Sequence, residues 1–118
     1  MASVLICDDA MFMRASIRKM VEAEGFQVVA EAGNGAECIA AYQSFHPDLV
    51  LMDITMPDMD GITATKKIKE IDQNAKIIIV SALGLQEKVF EAITAGAKDF
   101  VVKPFEQQTL IQCMKKYV

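Results

Sequence analysis

Polar side chains that could bind a metal ion or a phosphoryl group each come at the end of a short apolar run. Asp8 and Asp9 end the first such run, Asp53 ends another, Ser81 ends a third and Lys103 follows a fourth. If these runs are neighbouring parallel strands, their carboxyl ends lie at one edge of one sheet. Three carboxylates, one hydroxyl and one ammonium would then converge. This set favours a divalent cation and a phosphoryl group over an apolar ligand.

The three carboxylates have a defined chemistry if they lie together. Clustered carboxylates repel one another, and each raises the pKa of the others unless a cation is bound. Hard oxygen ligands favour Mg²⁺, with Mn²⁺ as the alternative ion. Because Mg²⁺ takes only one or two carboxylates, another stays free to attack phosphorus and form an aspartyl phosphate. Lys103 and Ser81 could then neutralise and hydrogen-bond the phosphoryl oxygens.

The elements that must position these residues can be predicted from apolar periodicity. Five apolar runs, near residues 3–7, 26–31, 48–53, 76–81 and 98–102, alternate with stretches of helical spacing. Three of the runs lack polar alternation, as strands buried on both faces do, while the mixed run 26–31 indicates an edge strand. We therefore predict an α/β, flavodoxin-like, doubly wound (βα)5 fold. Its five-stranded parallel sheet has the order 2-1-3-4-5. The chain reverses its winding direction between strands 1 and 3, and ligands bind at the carboxyl ends of the strands at this topological switch point.

Local signals agree with these boundaries. Asn34, followed by Glu37, resembles a capping box that opens the second helix. Gly25 and Gly96 stand where helices should end before the next strand.

Size and composition limit the class of protein. The 118 residues, of which 53% are hydrophobic, predict one domain over 1–118 that needs no disulfide or structural metal to fold. A net charge of −4 without a basic block argues against direct nucleic-acid binding. The three cysteines are far apart, which favours reduced thiols in the cytoplasm. No apolar run is long enough for membrane insertion. We expect a cytoplasmic monomer.

Taken in order, these motifs resemble the receiver domain of bacterial two-component response regulators, from Val4 to the last helix. The resemblance depends on Asp8-Asp9, Met52-Asp53-Ile54-Thr55-Met56-Pro57 with Asp60-Gly61, Ser81-Ala82, and Lys103-Pro104-Phe105. Because little chain is left for an output domain, the single-domain chemotaxis type is the most similar. The family's members act as signalling phosphoacceptors, which catalyse only their own phosphorylation and dephosphorylation.

The resemblance implies a set of metal ligands. Asp53 would be the phosphoacceptor and also a ligand of Mg²⁺. Asp9 would bind the metal directly, Asp8 through water, and Thr55 through its backbone carbonyl.

The resemblance also implies a switch. Lys103 would pair with the phosphoryl group, and the Lys103–Pro104 peptide bond, with Pro104 in cis, would fix the approach of the lysine. Ser81 would move toward the phosphate, opening space into which Phe100 rotates.

The partners would be a histidine kinase, a phosphatase, and a target such as a flagellar motor switch component. The target would bind the face formed by helix 4, strand 5 and helix 5.

Several alternatives stay open at this point. Taken singly, an Asp pair after a strand is an ordinary helix cap or turn, and Phe100 could be a simple edge-strand aromatic. A phosphorelay intermediate would pass its phosphate to another histidine. A phosphohydrolase with an aspartyl-phosphate intermediate is a different class, but Thr55 stands where its second Asp would be. A flavin-binding module is disfavoured, because the acidic first loop would repel a phosphate.

Overall fold

The fold is an alternation of five strands and five helices, described by a computed structural model of residues 1–118. All four strand pairings are parallel, and the sheet order is β2-β1-β3-β4-β5. The prediction of a flavodoxin-like doubly wound sheet is therefore confirmed. The elements are β1 (Ser3–Cys7), α1 (Met11–Ala23), β2 (Gln27–Ala32), α2 (Gly35–Phe45), β3 (Leu49–Met52), α3 (Gly61–Ile71), β4 (Ile77–Ser81), α4 (Gln86–Ala95), β5 (Asp99–Val102) and α5 (Gln107–Lys115).

The central strands are apolar on both faces because helices cover both faces. In β1, Leu5 and Cys7 join a core of 18 buried residues with α2, α3 and α4. Val4 and Ile6 point the other way, into a core of 15 buried residues with α1 and α5. The same alternation continues in β3 and β4. Continuous apolar runs of this kind are what a doubly covered parallel sheet requires.

The mixed second run forms an edge strand, as predicted. Its partner is β1 alone, and Gln27 and Glu31 are exposed. Since β1 lies between β2 and β3, the chain reverses its winding direction there, and this places the switch point beside the carboxyl ends of β1 and β3.

Helix caps follow the sequence signals with one change. The Asn34 side chain accepts a hydrogen bond from the backbone N–H of Glu37 at 2.9 Å. The Glu37 carboxylate, however, accepts from the N–H of Gly33 at 2.9 Å, one residue before the usual capping-box donor. Gly96 ends α4 in the left-handed region, with φ of 116°.

No helix is both long and apolar enough to cross a membrane. All three cysteines are free and buried.

Candidate functional site

The sheet's hydrogen bonds carry the predicted site residues to the same edge. The backbone N–H of Asp53 donates to the carbonyl of Cys7 at 2.9 Å, which extends the β1–β3 pairing by one residue. The N–H of Lys103 donates to the carbonyl of Ser81 at 2.9 Å, which extends the β4–β5 pairing in the same way. Because both extensions lie at carboxyl ends of parallel strands, the polar side chains meet at the switch point.

Three carboxylates cluster there. Asp8, Asp9 and Asp53 each offer one oxygen, and these oxygens lie within 4.8 Å of one another. Asp8 and Asp53 are buried, with exposed fractions of 2% and 7%, whereas Asp9 is exposed. Solvent therefore reaches the cluster on the side of Asp9, whereas the side formed by Asp8 and Asp53 is buried.

Lys103 supplies the one ammonium of the cluster. Its Nζ lies 2.6 Å from Oδ2 of Asp8 and 3.3 Å from Oδ2 of Asp53. The Lys103 side chain is 14% exposed, so it is held among the carboxylates and does not reach into solvent. The Lys103–Pro104 peptide bond is cis. One cation facing three carboxylates leaves a negative excess that a divalent ion would neutralise.

The electrostatics of Asp53 reflect its burial. Loss of solvent raises the pKa of the Asp53 carboxyl above its usual value, and the neighbouring Asp8 raises it further. The Lys103 ammonium and the Ser81 hydroxyl oppose this increase and lower the pKa, but do not cancel it. The ionised form of Asp53 therefore costs free energy while no cation is bound.

The other predicted residues lie around this centre. Ser81 is buried at the end of β4, and its hydroxyl accepts a hydrogen bond from the N–H of Leu83 at 3.3 Å. Thr55 lies in the loop after β3 with its side chain exposed. Phe100 is half-buried on β5 and packs against the core on the side of α2, α3 and α4. The structure thus brings Lys103 into direct contact with Asp8 and Asp53, whereas Phe100 packs against the core.

Sequence reasoning missed two contacts near the site. A Cβ on Gly61 would lie 1.8 Å from the carbonyl oxygen of Asp53, so only glycine fits where α3 begins beneath the loop. The guanidinium of Arg14 donates to the carbonyl of Asp8 at 2.6 Å. The Asp60-Gly61 motif marks the first contact in the sequence. The second had no signal, because it depends on how α1 packs beside its preceding loop.

The donor set fits a hard divalent cation. Each of the three carboxylates is an oxygen ligand of the kind Mg²⁺ and Mn²⁺ prefer, and the exposed Asp9 leaves a route of entry. A carboxylate such as Asp53, buried beside an ammonium, could also act as a nucleophile, and Lys103 could then neutralise the charge of the product. The arrangement can therefore hold a metal ion and accept a phosphoryl group at one place.

Comparisons with known proteins agree with this geometry. Chemotaxis protein CheY of Bacillus subtilis is 55% identical over 113 residues, covering 96% of this chain and 94% of that protein. CheY of Thermotoga maritima is 51% identical, with the same coverage of both chains. Among solved structures, the CheX–CheY–BeF3–Mg complex of Borrelia burgdorferi matches with a TM-score of 0.95 and 38% identity, covering 99% of this chain and 90% of that chain.

The family model for the response regulator receiver domain matches residues 4–115, which include the whole sheet except its first residue, Ser3, and all of the clustered side chains. The chain therefore belongs to the response regulator receiver domain family, as a receiver of the CheY type in two-component signalling.

Proposed function

We propose that residues 1–118 form a Mg²⁺-dependent receiver in which Asp53 accepts a phosphoryl group from a histidine kinase. The observation that carries this proposal is the contact of Lys103 with both Asp8 and Asp53, inside a cluster of three carboxylates. A structural ion pair would need one carboxylate. Three carboxylates around one ammonium are suited to bind a cation and to react with a phosphoryl donor.

The residues divide into ligands and a nucleophile. Asp9, Asp53 and the backbone carbonyl of Thr55 would hold the metal directly, and Asp8 would hold it through water. When bound, Mg²⁺ neutralises charge on the phosphoryl oxygens. An oxygen of Asp53 forms a bond to phosphorus while the bond between phosphorus and the donor's histidine nitrogen breaks. The Lys103 ammonium, already 3.3 Å from Asp53, balances charge on the transferred group.

The same transfer would operate a switch. The Ser81 hydroxyl accepts a hydrogen bond from the N–H of Leu83. The charged oxygens of a phosphoryl group on Asp53 are strong hydrogen-bond acceptors, so the Ser81 hydroxyl would donate its proton to one of them. Phe100, only half-buried, can then rotate inward into the vacated space. A local change of charge is thereby converted into a change of surface at β5.

The output surface would be the face of α4, β5 and α5. Large apolar side chains are exposed there, with exposed fractions of 62% for Leu85, 72% for Phe90 and 46% for Val102. An apolar patch of this kind, next to the switch residue Phe100, suits a protein target. The relatives named CheY favour a target in chemotaxis, such as a flagellar motor switch component. The neighbour solved in complex with CheX supports a further protein partner, and a phosphatase is the partner that we propose for this role.

The protein would act in the cytoplasm, since its three free cysteines suit a reducing compartment. It would act as a signalling phosphoacceptor and not on an external substrate. Transfer from the phosphorylated protein to a histidine phosphotransfer domain would instead indicate a phosphorelay intermediate, and sustained turnover of a phosphomonoester would indicate a hydrolase.

The test is phosphorylation by acetyl phosphate, followed by intact-protein mass spectrometry. We expect one phosphoryl increment that requires Mg²⁺ and disappears in Asp53→Asn. Asp58→Asn is the matched control, because Asp58 is an exposed carboxylate in the same loop, and it should be phosphorylated as the wild type is. An increment that survives in Asp53→Asn would refute the assignment of the phosphoacceptor. An increment that forms equally well in chelator would refute the metal.

A further inference from the structure

Arg14 ties the backbone of the β1–α1 loop to the rest of the fold. Its Nη1 donates to the carbonyl oxygen of Asp8 at 2.6 Å. That carbonyl belongs to the peptide bond that joins Asp8 to Asp9, so its direction sets where the main chain places Asp9. Asp9 is exposed, and packing does not hold its carboxylate. The backbone of this loop therefore decides where Asp9 lies.

Arg14 is itself held by an ion pair with the edge strand β2. Its Nε lies 3.1 Å from the Glu31 carboxylate on β2. Its Nη1 lies 3.5 Å from the position that a Cβ on Gly33 would occupy, so the guanidinium lies close to the loop after β2. The side chain is 16% exposed, whereas Arg18, one turn further along α1, is 43% exposed. A planar guanidinium can bond a carboxylate and a carbonyl at once in fixed directions, which an ammonium cannot do.

The loop has few other restraints near Asp9. The N-cap of α1 is Ala10, which has no side chain to cap the helix. The Asp8 carboxylate accepts from the N–H of Ala10 at 2.9 Å and so holds the loop on its buried side. Arg14 is the restraint that acts on the peptide preceding Asp9.

We propose that Arg14 is a positioning residue for the magnesium site, because it holds the Asp8–Asp9 peptide and so keeps the Asp9 carboxylate where it can ligate the ion beside Asp53. This inference rests on the proposed function, since it requires Asp9 to be a metal ligand. Arg14 acts through the backbone and makes no contact with the phosphoryl group.

Charge and positioning make opposite predictions for Arg14. Removing a positive charge beside an acidic cluster should tighten cation binding, because repulsion between Arg14 and Mg²⁺ is lost. Releasing the Asp8–Asp9 peptide should weaken cation binding, because the ligand must then be ordered when the ion binds. The sign of the change in Mg²⁺ affinity therefore separates the two effects.

Arg18 provides a matched control. It carries the same charge on the same helix and shares Glu31, at 2.7 Å, but its other partner is Glu22 and not the loop. The variants are Arg14→Gln and Arg14→Lys, compared with Arg18→Gln and Arg18→Lys. For each protein the melting temperature is measured against Mg²⁺ concentration, relative to the metal-free melting temperature of that variant. The rise with concentration yields the dissociation constant.

We expect Mg²⁺ to bind about tenfold more weakly to both Arg14 variants, as for other residues that support metal ligands. Arg18 variants should bind it as the wild type does. A general loss of stability would lower every melting temperature without changing the Mg²⁺ dependence. Should Arg14→Gln fail to fold, Arg14→Lys still tests the loss of the two guanidinium hydrogen bonds, to Glu31 and to the Asp8 carbonyl. The lysine retains the charge and the aliphatic part of the side chain.

Two results would overturn the inference while leaving the proposed function intact. One is wild-type or tighter Mg²⁺ binding by the Arg14 variants, and the other is an equal loss in the Arg18 variants. If the wild type shows no response to Mg²⁺, the inference falls together with the proposed metal site.

Discussion

Replacing Asp53 by Asn should stabilise the protein in the absence of metal, although it removes the proposed reactive group. The substitution keeps the shape of the side chain and removes one of three clustered charges. Lys103 does not become unpaired, because its 2.6 Å contact with Asp8 remains. The perturbation is therefore confined to the charge of Asp53.

The magnitude follows from the distances in the site. At 3.3 Å from Lys103 and an effective dielectric constant of about 20, the lost attraction is about 5 kcal/mol. Asp8, within 4.8 Å, repels Asp53 by about 3.5 kcal/mol on the same scale, and the exposed Asp9 by about 1 kcal/mol in a water-like medium. These contributions nearly cancel, so the cost of burying the Asp53 carboxylate decides the sign. Because Asn is also polar, we expect a net gain of about 1 to 2 kcal/mol.

The gain should depend on pH. Burial, the largest cause, raises the pKa of Asp53 above its usual value of 3.8 in the folded state. Between that value and the raised pKa, folding takes up a proton, so stability falls as the pH rises. The penalty is absent below pH 3.8 and complete above the folded-state pKa of this group. The advantage of Asp53→Asn should accordingly be small in acid and full at neutral pH.

The assay is thermal unfolding with a metal chelator present. For a domain of this length, the expected gain corresponds to a rise in melting temperature of about 3 to 8 °C at neutral pH. Asp60→Asn is the control, because the pKa of Asp60 is shifted in the opposite direction to that of Asp53. Burial alone would raise the pKa of Asp60, but hydrogen bonds from the N–H groups of Thr63 and Ile62 at the start of α3 outweigh it and lower the pKa. That variant should be unchanged or less stable.

Two results would contradict a net cost of the buried Asp53 charge. Equal or lower stability of Asp53→Asn at neutral pH would mean that Lys103 compensates the buried carboxylate in full. A gain of the same size at every pH would mean that the gain comes from something other than ionisation. Adding Mg²⁺ should reverse the ranking, because the ion stabilises the wild type more than the variant that lacks a ligand.

Further measurable effects are expected at Gly61, at the cap of α2 and at the buried thiols. Gly61→Ala should lower the free energy of unfolding in urea by about 2 to 3 kcal/mol, because its Cβ would meet the Asp53 carbonyl; an unchanged value would contradict the close approach. Asn34→Ala should cost about 1 kcal/mol by the same measurement, since the N–H of Glu37 loses its cap, while Asn34→Ser should retain most of it. The three buried thiols should not react with Ellman's reagent until the protein unfolds, since burial raises the pKa of Cys113 to about 12; fast labelling of the native protein would show an accessible thiol.

The sheet, its strand order and the residues that end its strands can be predicted from the sequence without any coordinates. This was possible because the signals are local. Continuous apolar runs indicate strands buried on both faces, and the polar residues in 26–31 indicate an edge strand. The carboxyl ends of parallel strands lie at the same edge of the sheet. The convergence of Asp8, Asp53 and Lys103 then follows from topology alone, before any side chain is placed.

The contacts that hold those residues in place are set by the packing of the whole fold and cannot be predicted from the sequence. That Lys103 lies closer to Asp8 than to Asp53 depends on how far its side chain reaches from the end of β5, past β4, toward the ends of β1 and β3. The link from Arg14 to the Asp8 carbonyl needs α1 packed against its own loop and against Glu31 on the edge strand. Such contacts join residues whose separation in the chain carries no period or motif. Only the packing of complete elements brings them together, because their distances are fixed by the core and not by local sequence.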